Sequence, residues 1–263
     1  MTNASSSPPS WRPYLEFATE TAWQAGQLTL GYFQTELHPD FKEDDSPVTV
    51  ADRKAEELIR ERIASRYPKY GIIGEEFGEA AAQGDQRRWI VDPIDGTRSF
   101  VRGVPLYAVL IALEVGDQVP VGVAYFPALG EMLAAADGLG CWWNGRPARV
   151  STAQQLSTGL ISHTDATSFA QYGRAAEWQR IQACGATCRG LPDAYGHMLV
   201  ATGRAEVMLD PIMSVWDCAP FLPILREAGG YFGDWSGNRT IRGGEALSTT
   251  PVLLPEVMAL IGG

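Results

Sequence analysis

Cysteine and histidine are scarce in this chain, which limits the zinc and disulfide chemistry open to it. The 263 residues include four cysteines and three histidines. No two cysteines form a Cys-x-x-Cys pair and none belongs to a histidine-flanked cluster, so neither a zinc site nor a disulfide framework is indicated. We interpret the following thiols as buried and reduced: Cys141, Cys184, Cys188 and Cys218.

The sequence also lacks long apolar runs and a basic leader. No apolar stretch approaches the roughly 20 residues needed to span a bilayer. Residues Met1 to Pro9 are rich in serine, asparagine and proline and have no basic segment followed by an apolar run, so they do not read as a secretory signal. We interpret residues 1–10 as a disordered tail and expect a cytoplasmic protein that does not bind membranes.

Positive charge is in short supply. The chain has 21 basic and 31 acidic residues and a net charge of −10, which disfavours binding to nucleic acid or an anionic membrane. An anionic substrate would need local positive charge from arginine, from helix N-termini or from bound cations. Hydrophobic residues make up 45% of the chain, enough for a sizeable core.

The order of predicted elements favours an α+β fold. Helices are predicted from Trp11 to about Glu36 and from Thr49 to about Arg66, where Thr49-x-x-Asp52 can form a capping box. Strands at 106–115 and 119–126 form a predicted hairpin. Several antiparallel pairs of this kind argue for layered α+β architecture over a strictly alternating parallel sheet. A polar stretch from Ser151 to Ser157 divides the chain into halves at 11–150 and 151–263.

The most informative segment is Trp89-Ile-Val-Asp92-Pro-Ile-Asp95-Gly-Thr97. An apolar strand predicted to stop at Asp92 delivers two carboxylates, Asp92 and Asp95, into a tight turn. Magnesium prefers oxygen ligands and commonly shares its coordination between carboxylates and substrate phosphate. A two-metal site for phosphate hydrolysis needs further carboxylates, and Glu75 and Asp217 each follow an apolar segment.

Structural alternatives exist for each acidic residue taken singly. Asp95-Gly96 can be an ordinary turn, and Asp217 can cap a helix predicted from Cys218 to Ala228. Glu75 can be a solvated surface residue. Asp52 can serve only as the capping-box partner of Thr49.

Taken together, Gly-Glu75-Glu76, the Asp92–Thr97 segment and Trp216-Asp217 before a helix ending in Glu-Ala-Gly-Gly resemble the inositol monophosphatase family. The resemblance implies a homodimeric, layered αβαβα sandwich of the inositol monophosphatase and fructose-1,6-bisphosphatase type. It implies two or three Mg²⁺ ions per active site. The metal ligands it implies are Glu75, Asp92, the Ile94 carbonyl, Asp95 and Asp217. It assigns catalytic roles to Asp52, Thr97 and Glu75, the first two orienting and activating the nucleophilic water.

Within the family, the segment from Thr97 through Arg102 to Tyr107 is more similar to the histidinol-phosphatase branch than to the inositol branch. So is the segment from Asp193 to Asp210-Pro-Ile-Met. This similarity implies hydrolysis of L-histidinol phosphate to L-histidinol and phosphate, a reaction of histidine biosynthesis. Leu191-Pro192 departs from the glycines that branch members carry there, which would reshape the substrate pocket.

The expected substrate contacts extend beyond the metal ligands. Asp193 and Asp210 are candidates for binding the ammonium and imidazole of histidinol phosphate, although Asp210 equally suits a sugar hydroxyl. Arg189 can contact phosphate or can be a surface arginine. The full predicted substrate-binding set is Glu75, Asp95, Gly96, Thr97, Arg189, Asp193, Asp210 and Asp217.

Other functions stay open on the sequence. The chain can be an inositol monophosphatase or a phosphatase of broad specificity for sugar or nucleotide phosphates. It can also be a non-catalytic protein that binds metal and a phosphorylated ligand. His38, His163 and His197 are interpreted as structural or exposed, because a two-metal mechanism needs no phosphohistidine.

Overall fold

The computed structural model describes residues 10–36, 39–42, 47–84 and 86–262. His38 and all of the predicted tail except Ser10 lie outside the described residues. Within these ranges, no helix combines the length and the apolar character that crossing a bilayer requires.

The helices of the described ranges occur before, between and after the two main groups of strands. They are α1 (Arg12–Leu30), α2 (Val50–Arg66), α3 (Thr97–Val101), α4 (Ala166–Gln171), α5 (Ala175–Ala183), α6 (Asp193–Ala201), α7 (Val215–Cys218), α8 (Phe221–Glu227) and α9 (Leu254–Ile261).

The strands form two main sheets and one short pair. They are β1 (Asp40–Phe41), β2 (Pro47–Val48), β3 (Gly71–Gly74), β4 (Gly78–Ala80), β5 (Arg87–Asp95), β6 (Ala108–Val115), β7 (Gln118–Phe126), β8 (Glu131–Ala136), β9 (Gly140–Trp143), β10 (Arg146–Pro147), β11 (Leu160–His163), β12 (Thr187–Gly190), β13 (Val207–Asp210), β14 (Tyr231–Gly233) and β15 (Ala246–Thr249).

The larger sheet has eight strands in the order β10-β9-β8-β7-β6-β5-β3-β4, antiparallel except for the β3–β5 pair. Its central strand β6 is apolar on both faces because helices cover both. Val109 and Ile111 pack with α1 and α2, whereas Leu110 and Ala112 pack with α6 and α8. Gly122 of β7 allows α8 to approach closely, since a Cβ there would lie 2.2 Å from the Pro220 carbonyl oxygen.

The smaller sheet has five strands in the order β12-β11-β13-β15-β14. Its β13 shows the same two-sided burial: Met208 faces the core shared with α6 and α8, and Val207 and Leu209 face a core that includes α5 and α9. The layers therefore run helix, sheet, helix, sheet, helix. The predicted αβαβα sandwich is confirmed.

Several predicted boundaries are wrong. Helix α1 ends at Leu30 and turns follow to Thr35, with Gln34 at a positive φ of 59°. The helix predicted over Cys218–Ala228 is shorter: α8 covers Phe221–Glu227, and Pro220, which has no backbone N–H, separates it from the short α7. Strands β12 and β15 and helix α9 were not predicted at all.

The two proposed halves share one core. Every strand of the larger sheet precedes residue 148, and every strand of the smaller one follows residue 159. Helices α6 and α8 nevertheless pack between the two sheets and against both. The division at 11–150 and 151–263 stays a prediction.

Candidate metal centre

A cavity of about 840 Å³ opens where β3, β5, α3, α6 and α7 converge. The acidic candidates are far apart along the chain, and the fold brings most of them to this cavity. The predicted site residues that line it are Glu75, Asp92, Ile94, Asp95, Gly96, Thr97, Asp193 and Asp217.

Strand β5 aims two carboxylates at the same point because it carries a β-bulge. Asp92 pairs with Leu110 and Asp95 pairs with Ala108, so two β5 residues between them oppose one residue of β6. In a regular strand, residues three apart point to opposite faces, and one inserted residue restores them to the same face. The prediction that the strand stops at Asp92 is wrong, since pairing resumes at Asp95.

Three carboxylates form the centre of the site. One oxygen from each of Asp92, Asp95 and Asp217 lies within 4.8 Å of the others, a spacing that could hold a metal ion. Backbone N–H groups orient all three: Ile94 N donates to Asp92 at 3.0 Å, Ala194 N to Asp95 at 2.8 Å and Ser214 N to Asp217 at 2.8 Å. One oxygen of each carboxylate is thus held in place by a backbone hydrogen bond.

Asp217 does not cap α8 as an N-cap residue would. It is the third residue of α7, and its bond from Ser214 N belongs to a capping box with Ser214. This box orients the carboxylate toward Asp92 and Asp95. The capping and metal-binding interpretations of Asp217 are therefore compatible.

The carboxylates of the cluster repel each other. Burial and the nearby Glu75 and Asp95 raise the pKa of Asp92 well above its ordinary value. Burial raises the pKa of Asp217 to about 7, against the stabilising bond from Ser214 N. Crowded, buried, all-oxygen donors of this kind suit a hard cation such as Mg²⁺, whose charge would offset their repulsion.

Glu75 is held beside the cluster by a lysine that the sequence reasoning missed. Lys42 Nζ lies 2.7 Å from Glu75 Oε1 and 2.7 Å from Glu76 Oε1. Burial opposes the charge of Lys42, but the bonds to Glu75 and Glu76 outweigh it and raise the Lys42 pKa. Nothing in the local sequence marks Lys42, because its partners are more than 30 residues away.

The turn that contains Glu75 is held by hydrogen bonds to a buried carboxylate. Glu56 of α2 is fully buried and accepts the backbone N–H of Glu76 at 2.7 Å and of Phe77 at 3.2 Å. Arg60 Nε donates to the same carboxylate at 2.7 Å. Glu56 thereby ties helix α2 to the segment that follows β3.

Asp52 occupies two roles with its two oxygens. Oδ2 accepts from Thr49 N at 2.8 Å and closes the predicted capping box, which is confirmed. Oδ1 lies 3.2 Å from the hydroxyl of Thr97, which also lies 2.9 Å from the Ile94 carbonyl oxygen. Burial raises the pKa of Asp52 despite the bonds from Thr49. Capping and a place beside the cavity are compatible.

The acidic end of the site is built by Asp193 and Asp210. Asp193 adopts a left-handed backbone, φ 56°, at the start of α6, and its N–H donates to Thr164 Oγ1 at 2.8 Å. Thr164 N in turn lies 3.3 Å from Asp210 Oδ1. Both carboxylates line a second cavity of about 330 Å³, which shares Asp95 and Asp217 with the first.

Gly96 permits this arrangement. Its φ of 81° favours glycine, and a Cβ there would lie 3.0 Å from Asp193 Oδ2. The loop after β5 and the start of α6 can therefore approach each other closely.

Arg189 is not brought to the site. It is an exposed residue of β12, its guanidinium donates to the Cys188 carbonyl at 2.9 Å, and it lines neither of the two cavities. Arg98 and Arg102 line the larger cavity instead. Both arginines follow Thr97 within the segment that resembles the histidinol-phosphatase branch. That segment could have identified them as site residues from the sequence.

Comparison with known proteins matches the chain to the model of the inositol monophosphatase family over residues 10–261. The chain is 47% identical to a histidinol-phosphatase of Chlorobaculum parvum, over 95% of this chain and 97% of that protein. It is 38% identical to a histidinol-phosphatase of Mycobacterium tuberculosis, over 93% and 96%.

Solved structures show the same fold. An inositol monophosphatase from Anabaena superposes with a TM-score of 0.84 at 28% identity, covering 95% of this chain and 96% of that one. The extragenic suppressor protein SuhB from Bartonella henselae gives a TM-score of 0.88 at 28% identity, covering 95% and 98%.

Proposed function

Because the chain belongs to the inositol monophosphatase family, we propose that it hydrolyses L-histidinol phosphate to L-histidinol and phosphate. The chain is a phosphoric monoester hydrolase, as family membership and the histidinol-phosphatase relatives show. The observation that carries the substrate assignment is the pair Asp193 and Asp210 beside the carboxylate cluster, because these acids can bind the ammonium and the imidazole of the histidinol moiety.

The family depends on magnesium. We assign two or three Mg²⁺ ions per active site to the carboxylates of Glu75, Asp92, Asp95 and Asp217 and the carbonyl of Ile94. Bound Mg²⁺ would supply Lewis-acid activation of the attacking water and neutralise charge on the phosphoryl and leaving oxygens. Lys42 contacts Oε1 of Glu75, and a metal could bind the same carboxylate through its other oxygen.

Thr97 and Asp52 orient and deprotonate the nucleophile in this proposal. The Thr97 hydroxyl donates to Asp52 Oδ1 and keeps its lone pairs for a hydrogen bond from water. A proton leaving that water can pass through Thr97 Oγ1 to Asp52. The raised pKa of Asp52 makes its carboxylate a better proton acceptor than an ordinary aspartate.

Although the chain has a net negative charge, the cavity offers local positive charge for the phosphate group of the substrate. Arg98 and Arg102 line the cavity on the side of α3. The first N–H groups of α3, after Gly96, have no acceptor within the helix. The predicted substrate contacts of Gly96 and Thr97 follow from this position.

Inositol phosphate is the second candidate substrate. Asp210 can accept a hydrogen bond from a sugar hydroxyl as readily as from an ammonium. A relative from Mesorhizobium japonicum named inositol-1-monophosphatase is 34% identical over 86% of each protein. Asp165, Asp193 and Asp210 line the subsite together with Arg98, and the excess of carboxylates over the single arginine favours the cationic substrate.

Phosphate release across a panel of metabolites tests the assignment. We expect kcat/KM for L-histidinol phosphate to exceed that for inositol 1-phosphate, sugar phosphates and nucleotides, and Asp210→Asn to lower it for L-histidinol phosphate most. Activity on inositol 1-phosphate alone would overturn the substrate assignment. Absence of Mg²⁺-dependent release from every ester would instead support a non-catalytic binding protein.

We further propose that the protein is a homodimer and that it is cytoplasmic. Light scattering on the full chain measures the oligomeric state. A monomer at micromolar concentration would contradict the proposed dimer.

A further inference from the structure

A fully buried histidine lies directly behind the acidic subsite. His197 of α6 places Nδ1 2.7 Å from Ser248 Oγ and Nε2 3.4 Å from Asp210 Oδ2. Neither His197 Nε2 nor Asp210 Oδ2 has a hydrogen-bond partner among the described residues. The 3.4 Å ion-pair contact joins these two buried atoms.

The two sheet residues that contact His197 are positioned by strand register. In the antiparallel pair β13–β15, Met208 pairs with Ser248 and Asp210 pairs with Ala246. The imidazole also packs against the rings of Phe221, at 5.0 Å, and Phe232, at 5.5 Å between centroids. Close packing against these two rings restricts the orientation of the imidazole.

This geometry selects one tautomer of the neutral imidazole. An ionised carboxylate only accepts hydrogen bonds, so the nitrogen facing Asp210 must carry the hydrogen. Nδ1 is then the acceptor, and the Ser248 hydroxyl donates to it. A hydrogen bond from the other ring nitrogen commonly sets a tautomer in this way.

The second oxygen of Asp210 is fixed separately. Asp210 Oδ1 lies 3.3 Å from Thr164 N, and the Thr164 hydroxyl accepts from Asp193 N. Thr164 N thus binds one oxygen of the carboxylate, and the other oxygen lies 3.4 Å from His197 Nε2. Asp193, a like charge, stands beside it.

We propose that His197, held in its Nε2–H tautomer by Ser248, is a positioning residue that donates to Asp210 and fixes this carboxylate for the cationic end of the substrate. The inference rests on the proposed function for the identity of that cation. The proposed hydrogen bond from His197 Nε2 to Asp210 does not depend on the identity of the substrate.

Steady-state kinetics on matched variants test the positioning role. His197→Leu removes the donor, whereas His197→Gln places an amide N–H near the position of Nε2. Loss of a hydrogen bond to a charged group should raise KM for L-histidinol phosphate about tenfold in His197→Leu. KM for glycerol 2-phosphate, which has no cation, should rise far less, and His197→Gln should restore most of the loss.

Ser248→Ala should change KM for L-histidinol phosphate in the same direction by a smaller factor. Met198→Leu, a neighbouring buried substitution of similar volume on α6, is the packing control and should leave the ratio of the two KM values as in the wild type. Equal changes of KM for both substrates in His197→Leu and His197→Gln would overturn the proposal.

The tautomer is measured directly on the wild-type protein by ¹⁵N-edited NMR of the imidazole, with His197→Gln identifying the signal. We expect a protonated Nε2 and an unprotonated Nδ1. A protonated Nδ1 would overturn the proposal whatever the substrate. Absence of wild-type turnover of L-histidinol phosphate would instead refute the proposed function. The NMR measurement of the His197 tautomer would then still test the proposed hydrogen bond to Asp210.

Discussion

The hydroxyl of Thr97 lies 3.2 Å from Oδ1 of Asp52, although the two residues are 45 positions apart in the chain. The other oxygen of Asp52 closes the capping box of α2. One carboxylate therefore connects the start of a helix to the edge of the cavity. A substitution at Asp52 acts on stability and on turnover at once, and the two effects have to be separated.

Asp52→Asn should lower kcat about a hundredfold, because a general base contributes that order of rate enhancement. KM should change little, since Asp52 does not line the cavity. Thr49→Ala removes the capping hydroxyl and should cost about 1 kcal/mol of stability. It leaves Oδ1 of Asp52 in place, so kcat should fall much less. Kinetics and thermal unfolding of both variants check this. Equal losses of kcat would contradict a role in water activation.

Asp92→Asn and Asp95→Asn should each reduce Mg²⁺-dependent phosphate release by about a thousandfold, because each removes an anionic ligand from the metal cluster. Asp117→Asn, in the exposed β6–β7 turn, is the matched control and should retain activity. Magnesium titrations of activity measure the effect. Retained turnover in Asp92→Asn or Asp95→Asn would contradict the proposed metal-dependent mechanism.

The metal-free protein should lose stability as pH rises. Burial and neighbouring carboxylates raise the pKa of Asp193 and Asp217 to about 7, whereas an unfolded aspartate titrates near about 4. Groups with a raised folded-state pKa contribute full stability below about pH 4 and lose it as pH rises through about 7.

Bound Mg²⁺ offsets the repulsion among the ionised groups. The difference in Tm between samples in Mg²⁺ and in a chelator should therefore widen as pH rises across this window. Thermal unfolding at several pH values measures it. A difference that is constant with pH would contradict the electrostatic account of the cluster.

Glu56→Gln should raise the Mg²⁺ concentration that gives half-maximal activity by about tenfold, because residues behind metal ligands commonly contribute that much to affinity. The amide can accept at only one oxygen and loses the charge that pairs with Arg60. Glu57→Gln, on the exposed side of the same helix, is the control. An unchanged Mg²⁺ dependence with lowered Tm would indicate that Glu56 stabilises α2 alone.

Local patterns predicted much of the fold. The capping box at Thr49 and Asp52 starts α2, and the β6–β7 hairpin follows from the two apolar runs at 106–115 and 119–126. Strands β12 and β15 were missed because Thr187-Cys-Arg-Gly and Ala246-Leu-Ser-Thr contain neither an apolar run nor a clear alternation of apolar and polar residues, and their pairing partners are distant in sequence. Short strands carry little periodicity of their own.

The sequence by itself determined the donor atoms of the candidate metal centre. Asp92-Pro-Ile-Asp95-Gly-Thr, Glu75 and Asp217 were identifiable because oxygen ligands at the ends of apolar segments suit a hard cation whatever the fold. The sequence likewise determined that phosphate binding would need local positive charge, since the chain carries a net charge of −10.

Only the tertiary structure decided how these donors meet. The bulge in β5 turns Asp92 and Asp95 to one side, and Lys42, Glu56, Thr164 and His197 reach the site from distant elements. The structure also left Arg189 away from the cavity. Contacts of this kind depend on packing between residues far apart in sequence. A local sequence pattern does not specify which distant residue will lie opposite.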